Sequence, residues 1–165
     1  MKNWNKNGVA LVATILLAAK AWAGEGPAGH SHGHGGSKSF SAGEPGDPKK
    51  PSRLVQITMG EQDGKMLFTP ARLEMGKDEQ IKFTLRNIGE LDHEFVLADR
   101  AENLEHAEAM KRNAEMAHAD ANGRQLAPKK TTEIVWKFTK VGEFEYACLI
   151  PGHREAGMVG TIVVK

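Results

Sequence analysis

Two stretches, Ile81-Lys82-Phe83-Thr84-Leu85 and Ile134-Val135-Trp136-Lys137-Phe138, place a large apolar side chain at every second position. A period of two is the repeat of a strand with one face on a core and one in water; a helix would repeat its apolar positions every three to four residues. Comparable short runs lie at 54–59, 66–68, 94–97, 143–148 and 158–164, with turn signals such as Asp63-Gly64 and Val141-Gly142 between strands. Many short strands joined by turns predict an all-β domain, an antiparallel sandwich or barrel of the Greek-key kind, over residues 53–165.

One segment breaks this rhythm. Residues 99–118 are rich in Ala, Glu, Leu, Met and Lys, and Asp99 and Glu102 have the spacing of an N-terminal capping pair. They predict a single helix inserted between strands, ended by Asn122-Gly123. Such a helix is either a brace for the β framework or a functional attachment.

The beginning of the chain reads differently again. Lys2 and Lys6 precede an apolar run over 9–19 and then Ala21-Trp22-Ala23, the small-x-small form of a signal-peptidase site. Residues 1–23 are expected to be a secretory signal, the apolar run being short against the roughly 20 residues a membrane span needs. The leader predicts export, and stable membrane insertion after cleavage is not expected. Residues 24–52 are mostly Gly, Pro, Ser, His, Glu and Lys, with Phe40 the only large apolar residue, and read as a flexible tail. Loss of Lys2, Lys6 and Lys20 with the leader takes the formal charge from +1 to −2. That balance, without a basic block, offers nothing to gather nucleic-acid phosphates.

The chain has one cysteine, Cys148, so no internal disulfide forms. A lone exported thiol is accounted for by burial, by dimerisation or by metal ligation, which ties up the thiolate. Its neighbourhood favours metal: Cys148-Leu149-Ile150-Pro151-Gly152-His153-Arg154-Glu155-Ala156-Gly157-Met158 is C-x4-H-x4-M on a loop between two strand-like runs. Pro151-Gly152 supplies a turn that folds His153 back towards Cys148. Thiolate, imidazole and thioether suit a soft ion, and a second imidazole would complete the trigonal plane of a blue-copper centre with a weak axial Met. His93, after the turn-forming Asn87-Ile88-Gly89-Glu90, is the candidate for it. Zinc would recruit further Cys or His and takes thioether poorly.

With these residues in view the chain resembles the cupredoxins from about Arg53 to Lys165. The resemblance is carried by Asn87 to His93, by the Cys148 to Met158 loop and by the closing run Gly160-Thr161-Ile162-Val163-Val164. Met116-Ala117-His118-Ala119-Asp120 and Ala147 to His153 are similar to periplasmic cupredoxins associated with copper tolerance. One departure is Glu94, where many electron-transfer cupredoxins place Asn after the first His ligand. The resemblance implies one type 1 copper ion on His93, Cys148, His153 and Met158 and a role in copper tolerance with a redox-active Cu(I)/Cu(II) centre. The alternative is a soluble electron carrier. It implies no enzyme, and as partners copper ions together with a redox protein or a copper exporter or oxidase.

Further His and Met residues raise the matter of additional, weakly bound copper. His30-Ser31-His32-Gly33-His34 puts three imidazoles in a flexible segment able to wrap a divalent ion. His106 and Met110 share a helix face, with Met116 and His118 following. That face is open to two readings, a second copper site or Met side chains packed on the sandwich. Met59, Met66 and Met75 are expected to fill the core.

Overall fold

The computed structural model describes residues 39–112 and 120–165. Its elements are β1 (Glu44–Pro45), β2 (Arg53–Gln62), β3 (Lys65–Thr69), β4 (Arg72–Met75), β5 (Gln80–Asn87), β6 (His93–Ala98), α1 (Arg100–Arg112), β7 (Gly123–Leu126), β8 (Thr131–Lys137), β9 (Gly142–Ala147) and β10 (Val159–Val164). They form two five-stranded sheets, ordered β1-β8-β5-β2-β3 and β4-β10-β9-β6-β7. The all-β reading with one inserted helix holds.

Side chains alternate between core and solvent most cleanly in β5 and β10. Ile81, Phe83, Leu85, Ile134, Trp136, Phe95, Leu97, Tyr146 and Ile162 fill the space between the sheets. Phe95 stacks on Tyr146, and Phe68 meets both rings edge-on. Met59 and Met75 are buried among them and Met66 packs alongside, as gap-filling residues.

The expectation of purely antiparallel sheets needs correction. β2 pairs with β5 and β4 with β10 in parallel, each as part of a mixed sheet. Parallel neighbours require a crossover, and this chain has them because it passes from one sheet to the other between β3 and β4 and again between β5 and β6. β1, β4 and β7 were not expected as strands. Each has four residues or fewer, too few to show a period. Gly123, expected to end the helix, opens β7 opposite Val96.

β6 is buried at every position. Phe95 and Leu97 face the inter-sheet core, while Val96 faces a second cluster with Ala107 and Met110 of α1, Ala147 and Leu149. The inserted helix therefore covers the outer face of the second sheet. It is capped at Asp99, whose Oδ1 accepts from the Glu102 amide at 2.8 Å. The return half of a capping box is supplied from a distance: the Asp99 amide donates to Ser41 Oγ at 2.7 Å.

That contact shows the folded unit starting before the expected boundary at Arg53. Phe40 is 6% exposed, meets Trp136 edge-on with ring centroids 5.3 Å apart, and the Trp136 indole donates to Ala42 O. Ala42 is also fully buried, and β1 pairs with β8 just beyond it. The leader at 1–23 and the tail up to residue 38 lie outside the described residues. No helix among the described residues is long and apolar enough to cross a membrane.

Candidate metal centre

The C-x4-H-x4-M run forms a compact loop between β9 and β10, made almost wholly of turns. Gly152 and Gly157 have φ of 91° and 98°, a region costly for residues with a Cβ. These reversals close the loop on itself. His153 N donates to Ile150 O at 3.0 Å, Met158 N to His153 O at 3.1 Å and Cys148 N to Met158 O at 3.1 Å. Cys148, His153 and Met158 are thus tied by their own backbone. Two charged contacts fasten the loop outward. Arg154 pairs with Glu145 of β9 at 2.8 Å, both largely buried, and Lys111 of α1 reaches Glu155 at 3.2 Å.

His93 arrives from the other side. After β5 the chain crosses between sheets through residues 88–92, held by the fully buried Asn87: its amide donates to Leu91 O (2.8 Å) and Leu126 O (3.0 Å), and its oxygen accepts from Gly89 N (2.9 Å). Every polar atom of that side chain is satisfied, so the loop has one geometry. It delivers His93 to the first position of β6, opposite Leu126.

His93, Cys148 and His153 each offer a ligand atom within 4.8 Å of the others. Cys148 Sγ lies 3.3 Å from His153 Nδ1, and the two imidazole rings are 5.3 Å apart. His93 is fully buried; its Nε2 bonds Glu61 Oε1 at 2.8 Å, while its Nδ1 has no hydrogen-bond partner. A buried imidazole nitrogen without a partner is costly unless something occupies its lone pair. Beside a thiol and a second imidazole, the donor chemistry fits a soft metal ion. Met158 is also fully buried and belongs to the same core cluster as Cys148.

Burial pushes the Cys148 thiol up to about 12, although the Glu94 and Ile150 amides favour the thiolate. The first of these amides lies 3.3 Å from the sulfur. His153 is held below its ordinary value by burial and by the neighbouring His93. Burial likewise raises Glu94 to about 7; the Leu149 amide offsets this only in part, since neither carboxyl oxygen reaches a partner in hydrogen-bonding geometry. Burial alone would raise Glu61 too, but the Glu90 and Leu91 amides and His93 outweigh it and hold this carboxylate below its usual range. At the Asn-to-Glu departure the sulfur is therefore served by the main chain of residue 94, whatever side chain it carries.

Of the residues singled out from sequence, His93, Cys148 and His153 converge, with Met158 buried at the loop's end. His106 lines a cavity of about 40 Å³ beneath α1 with Glu102, Asn103 and Asp120. Met110 packs in the second core cluster. His30, His32, His34, Met116 and His118 lie outside the described residues. Beside the loop's ligating positions, Leu149 is 1% exposed beneath α1, whereas Pro151 and Ala156 lie at the surface. Glu61 went unnoticed, and its only sequence signal is a carboxylate at the end of a strand.

Two packed sheets that draw two imidazoles and a buried thiol to one end of β6 and β9 define the cupredoxin class. The chain belongs to the copper binding proteins of the plastocyanin/azurin family, which match residues 55–165. It is 41% identical to the copper-resistant cuproprotein CopI of Rubrivivax gelatinosus, across 97% of this chain and 99% of that one. It is 29% identical to the protein of the same description from Pseudomonas aeruginosa, across 94% and 96%. Among solved structures, auracyanin B covers 75% of this chain and 96% of its own with a TM-score of 0.61 at 19% identity, a likeness of fold.

Proposed function

We propose that this chain is an exported copper-tolerance protein in which His93, Cys148, His153 and Met158 hold one type 1 copper ion. The observation that carries the reading is the fully buried His93 Nδ1, without a hydrogen-bond partner and grouped with Cys148 and His153. The relatives described as copper-resistant support the biological role. Copper bound there supplies a one-electron Cu(I)/Cu(II) couple. The protein's part is to hold the two imidazoles on β6 and on a self-bonded loop, so that little moves when the charge changes. Four protein donors leave no position for a substrate, which makes this a binding and redox protein rather than an enzyme. The leader over 1–23 directs it to the periplasm, and the histidines at 30, 32 and 34 collect surplus divalent ions.

The test is spectroscopic and genetic. The Cu(II) form is expected to show an intense thiolate-to-copper visible band that Cys148→Ser abolishes; a band that survives that substitution refutes the ligand set. Deleting the gene is expected to sensitise cells to excess copper. A strain with unchanged copper tolerance and a slowed respiratory or photosynthetic chain would instead support soluble electron transfer. That second reading has one observation in its favour: His153 is only partly buried, next to the exposed Pro151 and Ala156, and could serve as an electron exit.

A further inference from the structure

Glu61 stands near the end of β2, in the sheet opposite to the one that carries His93, yet its carboxylate is shared among three donors on one short stretch of chain. Oε2 accepts from the Glu90 amide at 2.9 Å, Oε1 from the Leu91 amide at 3.1 Å, and Oε1 also faces His93 Nε2 at 2.8 Å. The approach is close. A Cβ on Gly89 would lie 2.4 to 2.8 Å from the carboxyl atoms, so a glycine at 89 is what admits the side chain. Ile88 N donates to Met59 O at 2.8 Å, which brings β2 alongside the same loop.

A carboxylate can only accept, so the proton on the His93 ring must sit on Nε2, and the lone pair must sit on Nδ1. That is the nitrogen left buried without a partner. The carboxylate selects the tautomer, and the unpartnered Nδ1 is the nitrogen to which that tautomer assigns the lone pair. A carboxylate behind an imidazole also makes it a stronger donor, and its negative charge favours the more positive ion in front.

We propose that Glu61 is a positioning residue for the metal centre, fixing the His93 tautomer and favouring Cu(II) over Cu(I). The inference rests on the ligand set proposed above. A hydrogen bond to a neutral acceptor would serve the first purpose; only a charged one serves the second.

Glu61→Gln keeps size and an acceptor oxygen and removes the charge, whereas Glu61→Ala removes both. In the metal-free protein, nitrogen NMR is expected to find His93 protonated on Nε2 in the wild type and in a tautomer mixture in Glu61→Ala. In the copper-loaded chain, the Gln variant is expected to lose about tenfold more affinity for Cu(II) than for Cu(I), a rise in reduction potential of about 59 mV for one electron. A wild-type band with an unmoved potential in Glu61→Gln overturns this inference and leaves the ligand set standing. Absence of the band in the wild type removes both. Should Glu61→Ala fail to fold, the Gln variant still decides the matter through its potential.

Discussion

Phe40 offers a direct test of where the domain begins. As part of a tail, its replacement by Ala would be silent. As placed here it is 6% exposed, edge-on to a fully buried Trp136, on a segment whose Ser41 also binds the start of α1. Burying a Phe side chain is worth roughly 1.5–3 kcal/mol and an edge-on aromatic pair about 0.5–1.5 kcal/mol more. Phe40→Ala should therefore cost about 3 kcal/mol. The figure sits at the lower end for Phe→Ala in cores, because a segment near the chain end can detach rather than leave a cavity. For a domain of this size, at about 4 °C per kcal/mol, the midpoint should fall by about 12 °C. The assay is thermal or urea unfolding of the metal-free protein, since bound copper would add its own stabilisation by mass action. Leu54→Ala is the control: that side chain is 73% exposed and its removal should change little. If Phe40→Ala matches the wild type within about 0.5 kcal/mol, residues 39–43 are not part of the core and the argument fails.

Four other outcomes are expected. Met110→Ala should destabilise by about 2–3 kcal/mol in urea unfolding, because Met110 is 3% exposed between α1 and the sheet. Lys111→Ala, which removes half-exposed ion pairs to Glu108 and Glu155, should stay within about 0.5 kcal/mol. Gly160→Ala should destabilise by at least about 1–3 kcal/mol and perturb the near-ultraviolet signal of Tyr146, since a Cβ there would lie 2.0 to 2.4 Å from that ring. Because the metal-free Cys148 thiol stays protonated up to about 12, Cu(II) uptake at neutral pH should release one proton from it, and affinity should rise with pH. Calorimetry in buffers of different ionisation enthalpy measures that proton, and a release of zero would refute thiolate ligation.

What could be read from the sequence, and what could not, divides along one line: how far apart in the chain the partners lie. The strands with the clearest alternation, β5, β8 and β10, and the loop that holds Cys148, His153 and Met158 are all written within a few residues, and local pattern finds them. His93 was found through chemistry, because a thiolate, an imidazole and a thioether call for another imidazole. Its support could not be. Glu61 lies 32 residues from His93, and Ser41 lies 58 from the amide it caps. Nothing in either local sequence distinguishes such a side chain from any other polar residue at a strand end or in a linker. β4 and β7 escaped for the same reason, since a four-residue strand is defined by its partner, β10 or β6, and not by its own period.

The same division explains how the site is built. The proposed near ligands share a loop that closes on itself, so their relative positions depend on few residues. The proposed distant ligand, His93, enters from another part of the chain, and its position relative to the loop depends on the register between β6 and β9, where Val96 faces Ala147. A one-residue slip there would turn every side chain of β6 to the opposite face. The buried cluster of Val96, Ala107, Met110, Ala147 and Leu149 opposes that slip, because Val96 must remain under α1 while Phe95 and Leu97 remain in the core. The inserted helix thereby fixes the register on which convergence of His93 with Cys148 depends, without a side chain of its own at the centre.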